Sequence, residues 1–463
     1  MVFKRSLIAA SVAATLFTAG AAHATNGYFS HGFGVKSIGM GGGGVALPND
    51  SAMIMATNPA GITETGTQIN FDVSWFHPVR GYDQTGVPAS ADSGSKNFYI
   101  PEFSTSYAIN DANSVGIAVY GNGGLNTDYA PNATSLATGQ AAGAFATAPG
   151  TGGEGGVNLK QMFIAPTYAH KFMDGKLSVG ASLLFARQTI QVKGLNGFGG
   201  FSTDPTRLTS NNVDSSTGWG GKIGILYHAT DALALGGSYQ TKMAMSRFSD
   251  YSGLFSDGGK FDIPATWTVG AAFRVAPAWT LTADYQRINY ANVAAIGNPS
   301  TAYLLGNGMP GNGCAGGDTT KCLGGSNGAG FGWSNVSVIK LGAQWQFSPA
   351  LQLRAGFNHG TNPVGSQDVV FNALAPGVMK NHFTAGFTYA IDKHQEISGA
   401  FMYAPRVTVT GANPIPAALT YQGALMSGAT QAQAAAAAGA VPATTTSISM
   451  KQYEATVGYA YKF

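Results

Sequence analysis

Much of this chain alternates apolar residues with small or polar ones, and this period of two restricts its fold more than any other feature. From Ile339 to Phe347, the odd positions are Ile, Leu, Ala, Trp and Phe, whereas the even positions are Lys, Gly, Gln and Gln. The stretches from Leu177 to Phe185 and from Leu233 to Met245 divide by parity in the same way. Since successive side chains of a β-strand point to opposite faces, each stretch predicts a strand with one apolar and one small, polar face.

Fourteen segments of this kind, with turn signals between them, are predicted as strands. They are residues 68–80, 96–109, 114–125, 157–172, 176–192, 217–229, 232–247, 263–276, 279–292, 335–348, 350–361, 379–391, 394–410 and 449–463. Their connections alternate between tight turns, as at 173–175, and long Gly-rich or Ala-rich loops, as at 126–156 and 293–334. An even strand number with this alternation is typical of bacterial outer-membrane barrels. We therefore predict an all-β fold, a 14-stranded antiparallel transmembrane β-barrel with its short turns in the periplasm.

The composition favours a membrane barrel over a soluble all-β protein, in which the apolar strand faces would point inward. Only 10% of the residues are charged, against about 25% in an average soluble domain. After residue 24, no run approaches the roughly 18 apolar residues that a spanning helix needs. An aromatic content of 11% argues against a disordered chain, and the scattered basic residues give no sign of nucleic-acid binding.

Residues 1–24 have the pattern of a secretory signal peptide. Lys4-Arg5 precedes an apolar core at 7–21, and Ala22-His23-Ala24 forms a small-x-small cleavage site. A single membrane helix is the alternative, but the apolar core is too short and ends in a cleavage pattern. Export of the mature chain to the cell outer membrane of a Gram-negative bacterium is expected.

The two cysteines, Cys314 and Cys322, lie in one Gly-rich loop. In an exported chain they meet an oxidising compartment, where disulfides persist. A local disulfide is predicted, because no further Cys or His lies near them to complete a metal site.

One segment, residues 25–66, breaks the period of two. It contains the glycine run Gly41 to Gly44 and the tetrad Asn58-Pro59-Ala60-Gly61. We predict that it forms a compact N-terminal hatch, or plug, inside a barrel made by residues 67–463.

The last strand carries Tyr453, Val457, Tyr459, Tyr461 and Phe463 on one parity, with Phe463 at the carboxyl terminus. A lipid-facing aromatic strand that ends in Phe resembles the terminal signal read by the outer-membrane insertion machinery. That machinery, outer-membrane lipid and lipopolysaccharide are therefore expected partners. Closure of the barrel would also remove a strand edge that otherwise faces lipid.

The start of the mature chain resembles a known family. The residues that carry the resemblance are Thr25-Asn26-Gly27-Tyr28-Phe29, Gly32-Phe33-Gly34, Ser37, Gly39-Met40-Gly41-Gly42, Asn49-Asp50-Ser51-Ala52 and Asn58-Pro59-Ala60-Gly61. Together they resemble the FadL family (OmpP1/FadL/TodX type), outer-membrane transporters of long-chain fatty acids and, in a related branch, aromatic hydrocarbons. The resemblance implies a plugged, fourteen-stranded barrel. It also implies docking of substrate in an apolar groove among outer loops, a lumen pocket, and lateral exit at a kink in the third strand. A monomer without a cofactor is expected, although the sequence does not decide the oligomeric state.

Gly121-Asn122-Gly123-Gly124 lies where that kink is expected. Glycines inside a strand mark bulges or bends. The alternative is that these four residues begin the following loop.

Parity also predicts which charged side chains face the lumen. The inward cations are Lys222, Lys242, Lys340, Arg274 and Arg354, and the inward acids are Glu102, Asp284 and Glu396. Each buried methylene of an acyl chain gains about 0.8 kcal/mol, so one cation can suffice as the polar anchor for a carboxylate. Lys340 and Lys242 are the main candidates, with Lys222 as a third; alternatively, these lysines pair with lumen acids and hold the plug.

Three runs in the outer loops are candidates for the docking groove: Ala141 to Ala148, Leu254-Phe255, and Ala434 to Ala438. The last is interpreted as low-complexity filler in preference to a short helix. The choice between fatty acid and aromatic hydrocarbon as the substrate stays open.

Two functions from other classes are alternatives. An outer-membrane enzyme would need a catalytic constellation, and His382 is inward by parity without a Ser in a strained G-x-S-x-G turn. A porin for hydrophilic solutes would need a charged constriction and no plug.

Overall fold

The computed structural model describes residues 25–48, 50–85, 89–130, 154–306 and 313–463. The predicted leader at 1–24, Asn49 of the N-terminal motif and the loop run Ala141 to Ala148 lie outside the described residues. Within the described ranges, no helix is long and apolar enough to cross a membrane.

Fourteen long strands form one closed antiparallel sheet. They are β1 Gln68–Gln84, β2 Phe98–Ala108, β3 Asn113–Tyr129, β4 Gly155–Phe172, β5 Leu177–Ile190, β6 Asp214–His228, β7 Leu233–Gln240, β8 Thr266–Ala276, β9 Trp279–Ile288, β10 Val336–Gln346, β11 Leu351–Gly360, β12 Asn381–Ala390, β13 Gln395–Asn413 and β14 Thr444–Lys462. Each strand pairs with the next, and β14 pairs back with β1 from Gln68↔Lys462 to Gln84↔Thr446. The predicted 14-stranded barrel is confirmed.

The strand ends differ from the prediction in ways that matter for the lumen. β1 continues to Gln84 and β3 to Tyr129, several residues beyond their predicted ends at 80 and 125. β7 ends at Gln240, where the prediction continued to 247. Three further strands are short: Ala89–Asp92, Val192–Lys193 and Ala244–Met245.

The two faces of the barrel wall differ as parity predicts. Outward side chains are large and apolar; Leu183, Trp219 and Val457 are 56%, 60% and 66% exposed. Many inward side chains are small or polar, such as Ser74 and Thr456, whose hydroxyl oxygens lie 2.7 Å apart; large apolar ones also face inward in the loop-end half, such as Phe76 and Leu159. An apolar outer face suits lipid, and the inner face leaves space and hydrogen-bond partners for other chain segments.

The N-terminal segment, residues 25–66, lies inside this wall. It contains helix α1, Val35–Ile38, and two 3₁₀ helices, Ala52–Ala56 and Pro59–Glu64. Nearly all of its described residues are buried, and none of the fourteen strands lies in it.

Inward side chains on widely separated strands bind the backbone of this segment. The N–H groups donate from Gly34 to Glu102 of β2 at 2.7 Å, from Gly44 to Asp284 of β9 at 2.7 Å, and from Gly41 to Thr384 of β12 at 2.8 Å. Lys36 also pairs with Glu396 of β13. Contacts with strands around the circumference place the segment in the lumen, where the wall satisfies its backbone polar groups.

The long loops all leave one end of the barrel, called here the loop end; the short turns mark the turn end. The remaining helices are α2 Ser256–Gly259, α3 Ala294–Gly297, α4 Thr301–Leu305, α5 Val369–Asn372, α6 Ile415–Met426 and α7 Gln431–Gly439, and the remaining 3₁₀ helices are Met173–Gly175, Asn196–Phe201, Pro205–Arg207, Ser249–Tyr251, Tyr290–Asn292, Cys314–Gly316, Thr319–Lys321 and Ser366–Asp368. All of these but Met173–Gly175 belong to the loop end.

Two loop predictions can be compared directly with this geometry. Cys314 and Cys322 form a disulfide, with Cα atoms 4.8 Å apart. The alanine run at 434–438 is helical, not filler: Thr430 and Gln433 form a capping box at the start of α7, and alanine has the highest helix propensity.

Candidate functional site

An apolar pocket, called here the loop-end pocket, opens between β3, β4, β5 and the long loops. Its empty space is about 610 Å³. Its lining residues are Leu125, Val157, Leu159, Ile190, Val192, Leu195, Phe198, Leu254, Phe255, Phe261, Ala295, Leu323, Ala329, Gly330, Phe331, Phe371 and Leu374. Leu254-Phe255, predicted as part of a docking groove, lies in this lining. No charged side chain is among the described residues that line it, so the pocket suits an apolar ligand.

The loop between β11 and β12, residues 361–380, folds inward to complete the pocket. The Thr127 hydroxyl donates to the Leu374 carbonyl at 2.7 Å, and the Tyr129 hydroxyl donates to the Ala373 carbonyl at 2.7 Å. These bonds hold Leu374 against the loop-end half of β3. Sequence reasoning missed this segment, although an apolar run in a loop was a visible signal.

β2 and β3 pair only over their turn-end halves, from Phe103↔Val119 to Ala108↔Ser114. Residues 98–102 of β2 pair with β1 alone. By continuation of the register, they lie opposite residues 120–124 of β3. We call this interruption the β2–β3 gap.

β3 turns towards the N-terminal segment beside the gap. Its register against β4 shifts between Gly121 and Gly123, which leaves Asn122 as a bulge. Gly123 forms a backbone bridge with Phe29, and the Gly124 N–H donates to the Tyr28 carbonyl at 3.0 Å. The four residues predicted as a kink therefore lie inside β3, which runs on to Tyr129, and do not begin a loop.

Close approach explains why Gly occupies position 123. A Cβ atom added there would lie 1.9 Å from the Tyr28 carbonyl oxygen. Only glycine lets the two backbones meet at this distance.

A second pocket, called here the gap pocket, lies on the lumen side of the β2–β3 gap. Its empty space is about 290 Å³. It is lined by Phe76, Pro78, Arg80, Phe98, Gly124, Leu125, Asn126, Ala375, Pro376, Gly377 and Met450. Leu125 lines both pockets, and Ala375 directly follows Leu374 of the loop-end pocket. The two pockets are therefore neighbours, separated by Leu125 and the inward loop.

Lys222 and Lys340, two of the predicted anchors, face the lumen and are each 5% exposed. Both line a third, polar cavity of about 490 Å³, together with Asn122. The Lys340 ammonium donates to the carbonyls of His31 at 2.9 Å and Gly42 at 3.1 Å. That of Lys222 donates to the Ala56 carbonyl. Both cations therefore bind the backbone of the N-terminal segment.

Lys242, the other main candidate, does not face the lumen as predicted. It follows the end of β7 at Gln240, and its side chain is 45% exposed. Its ammonium lies 3.0 Å from a carboxylate oxygen of Asp262. Parity failed here because the strand is interrupted before residue 242. Arg274 is likewise exposed, whereas Arg354 is buried.

The tetrad Asn58-Pro59-Ala60-Gly61 begins the second 3₁₀ helix of the N-terminal segment. The Asn58 side chain accepts from the Ala60 N–H at 3.1 Å, and Pro59 occupies a first-turn position that needs no N–H donor. The Asn58 amide also donates to the carbonyls of Val45 at 2.7 Å and of Ile225 in β6 at 2.9 Å. One side chain thus caps the helix and attaches it to the wall near the turn end.

Comparison with known proteins identifies the family. The sequence matches, over residues 12–447, the family described as "Outer membrane protein transport protein (OMPP1/FadL/TodX)". The chain belongs to this family. The resemblance of its N-terminal motifs to FadL proteins is confirmed, and so is the outer-membrane location. The family consists of transport proteins, not enzymes.

Solved members of the FadL/TodX group share the fold at low sequence identity. The toluene transporter TodX of P. putida is 18% identical with a TM-score of 0.61, and the alignment covers 94% of this chain and 99% of that one. The toluene transporter TbuX of Ralstonia pickettii is 17% identical with a TM-score of 0.58, over 94% and 99% of the two chains. A FadL homologue of Pseudomonas aeruginosa is 13% identical with a TM-score of 0.62, over 94% and 100%.

One curated sequence is also similar, over a shorter stretch. It is the "Uncharacterized protein in phosphoenolpyruvate carboxykinase gene 5'region" of Chlorobium limicola, 38% identical over 90 residues. The matched stretch is 18% of this chain and spans under half, 44%, of that relative.

Proposed function

We propose that this FadL/TodX family member takes up hydrophobic compounds, and long-chain fatty acids in particular, across the outer membrane. The observation that carries the proposal is the loop-end pocket, which is lined by apolar residues and adjoins the β2–β3 gap. Loops face the cell exterior in such barrels, so the pocket receives cargo from outside. The gap leads from the lumen to the lipid around the barrel.

The loop-end pocket supplies the binding free energy. Apolar and aromatic side chains make up its lining, as is typical of sites for small hydrophobic molecules. Each methylene transferred from water to such a lining contributes about 0.8 kcal/mol. A long acyl chain therefore gains more than a short one, which favours fatty acids as cargo.

Exit occurs sideways, between residues 98–102 of β2 and 120–124 of β3. Neighbouring strands of the wall bond to each other through their backbones, and breaking those bonds exposes unpaired backbone groups to lipid. At the gap, β3 instead bonds to Tyr28 and Phe29 of the N-terminal segment. Displacement of these two residues opens the gap without breaking a barrel ladder.

Residues 25–66 act as the hatch that closes the direct path through the lumen. The tetrad Asn58-Pro59-Ala60-Gly61 stays attached to the wall while β3 opens beside it, because Asn58 bonds both within the hatch and to β6. Lys222 and Lys340 hold the hatch through its carbonyl groups. A head-group role for Lys340, Lys242 or Lys222 stays a prediction.

Monoaromatic hydrocarbons are the second candidate cargo. The loop-end pocket contains five phenylalanines, Phe198, Phe255, Phe261, Phe331 and Phe371, and aromatic rings pack favourably on one another. The similar barrels TodX and TbuX are toluene transporters.

The outer surface of the last strand supports the expected partners. Val457, Tyr459 and Phe463 are 66%, 41% and 68% exposed, on the face turned to lipid. Insertion machinery reads this strand during assembly, and lipopolysaccharide surrounds the loop end of the monomer.

Uptake by a deletion strain tests the function. A strain that lacks the gene is complemented with this protein, and accumulation of labelled oleate and labelled toluene is measured. Restored oleate uptake supports the proposal. If toluene uptake is restored and oleate uptake is not, monoaromatic hydrocarbons are the cargo. If uptake of neither compound is restored, both candidate functions are refuted.

A further inference from the structure

Arg80 is a buried cation that the lumen contacts described so far do not use. It lies on the inward face of β1 and is 2% exposed. Its guanidinium donates through Nη1 to the Pro78 carbonyl at 3.0 Å and through Nη2 to the Asn126 side-chain oxygen at 2.9 Å. Nε donates to the Asn126 carbonyl. All three acceptors are neutral oxygen atoms.

This guanidinium forms no salt bridge with any of the described residues. No Asp or Glu of the described residues lies within 4.0 Å of its nitrogen atoms, and the undescribed ranges contain neither residue type. Asp128, the nearby acid on β3, is exposed. Buried charges normally require an ionic partner. Of the five N–H donors that a guanidinium carries, three have acceptors.

The gap pocket beside Arg80 is mostly apolar. Arg80 lines this pocket, where the Phe98 ring centroid lies 5.6 Å from the guanidinium carbon. Leu125 of the same pocket also lines the loop-end pocket. A buried cation that forms no salt bridge with the described residues therefore lies at the inner end of an apolar path.

We propose that Arg80 binds the carboxylate of the cargo, while the acyl chain occupies the apolar lining around Leu125. This assignment rests on the proposed uptake of fatty acids. A guanidinium matches a carboxylate through two parallel N–H donors, and such charged bonds are stronger than those to the neutral oxygen atoms of Asn126. Lys222 and Lys340 fit the role less well, because they bind hatch carbonyls in the polar cavity.

A purely structural role is the competing explanation, since Arg80 also connects β1 to β3 through Asn126. Comparison of a charged ligand with a neutral ligand of the same shape separates the two roles. Loss of a head-group anchor weakens binding of oleate alone. If Arg80 has only a structural role, its loss weakens binding of oleate and of oleyl alcohol equally.

The experiment measures binding of oleate and of oleyl alcohol to the purified full-length protein, as wild type, Arg80→Met and Arg80→Lys. Arg80→Met is expected to lower oleate affinity by about tenfold or more, the effect of losing a charged hydrogen bond. Affinity for the alcohol should stay unchanged, and Arg80→Lys should retain part of the oleate affinity. Arg354→Met is the matched control, because Arg354 is a buried lumen arginine bonded to Gln344, Gln352 and Thr388.

Equal losses for both ligands, or no loss for either, would overturn the assignment of Arg80. Wild-type protein that binds the alcohol but not oleate would also overturn it, and wild-type protein that binds neither would refute the proposed function itself. Should Arg80→Met not fold, Arg80→Gln replaces it, since its amide can still donate to Asn126.

Discussion

Gly123 of β3 forms a backbone bridge with Phe29 of the N-terminal segment, at the level where β3 no longer pairs with β2. At this level β3 pairs with the hatch and no longer with β2. Tyr28 extends the contact by accepting from the Gly124 N–H at 3.0 Å. The interruption in the sheet is therefore covered from inside by the segment that fills the lumen.

Replacement of Gly123 by Val should separate the hatch from β3. The added Cβ would lie 1.9 Å from the Tyr28 carbonyl oxygen, so Tyr28 must move. We expect a barrel that still folds but is leaky, measured as increased sensitivity of cells to a large hydrophilic antibiotic. Gly221→Ala is the control, since a Cβ there would meet its nearest atom at 3.9 Å; equal sensitivity of the two variants would contradict the idea.

A charge in the loop-end pocket should reduce uptake of any hydrophobic cargo. Phe198 is 7% exposed and lines the pocket, so Phe198→Asp places a carboxylate on an apolar lining. Initial uptake of oleate is expected to fall by about tenfold, as a loss of about 1.4 kcal/mol in binding implies. Val213→Asp, at a position 60% exposed, should leave uptake unchanged; uptake that survives Phe198→Asp would exclude this pocket from the route.

Lys340→Met tests whether this lysine holds the hatch or binds cargo. Removal of its bonds to His31 and Gly42 should lower the free energy of unfolding by about 1–3 kcal/mol and leave oleate affinity unchanged. Thermal unfolding and oleate binding are measured on the same preparation. A selective loss of oleate binding, in Lys340→Met or in Lys340→Ala combined with Lys242→Ala, would instead assign the head-group role to the lysines.

A cross-link can decide whether the Asn58 region moves. The hydroxyl oxygens of Thr63 and Ser178 in β5 lie 2.8 Å apart, so Thr63→Cys with Ser178→Cys should form a disulfide that fixes this end of the hatch to the wall. We expect oleate uptake to persist in the oxidised double variant, because the opening lies at β3. Uptake that stops on oxidation and returns with reductant, while the wild type is unaffected, would show that the tetrad itself must move.

Much of the architecture could be predicted from sequence because the barrel imposes a strict period of two. The fourteen segments with alternating apolar and polar residues predicted the number of strands, and the absence of this alternation in 25–66 predicted a segment inside the lumen. Interruptions of strands are not visible in that pattern. β7 stops at Gln240 when the chain begins to pair with Ile263 through Met243, and this moved Lys242 out of the lumen.

The lumen position of Arg80 was not predicted, because here the strand is longer than the sequence pattern indicates. β1 was predicted to end at residue 80, whereas it continues to Gln84, so Arg80 stood at the very end of a predicted strand, beside a loop. The inward loop at 361–380 was also missed, because its burial depends on contacts with Thr127 and Tyr129 far away in sequence. Long-range packing of this kind leaves no local period.

The partners of the hatch have a consequence for the order of assembly. Glu102, Asp284 and Thr384, which receive its N–H groups, lie on β2, β9 and β12. The complete set of acceptors exists only after most of the wall has formed, and contacts between residues so distant in sequence form slowly. The segment that precedes the first strand in sequence is therefore the last to reach its final place.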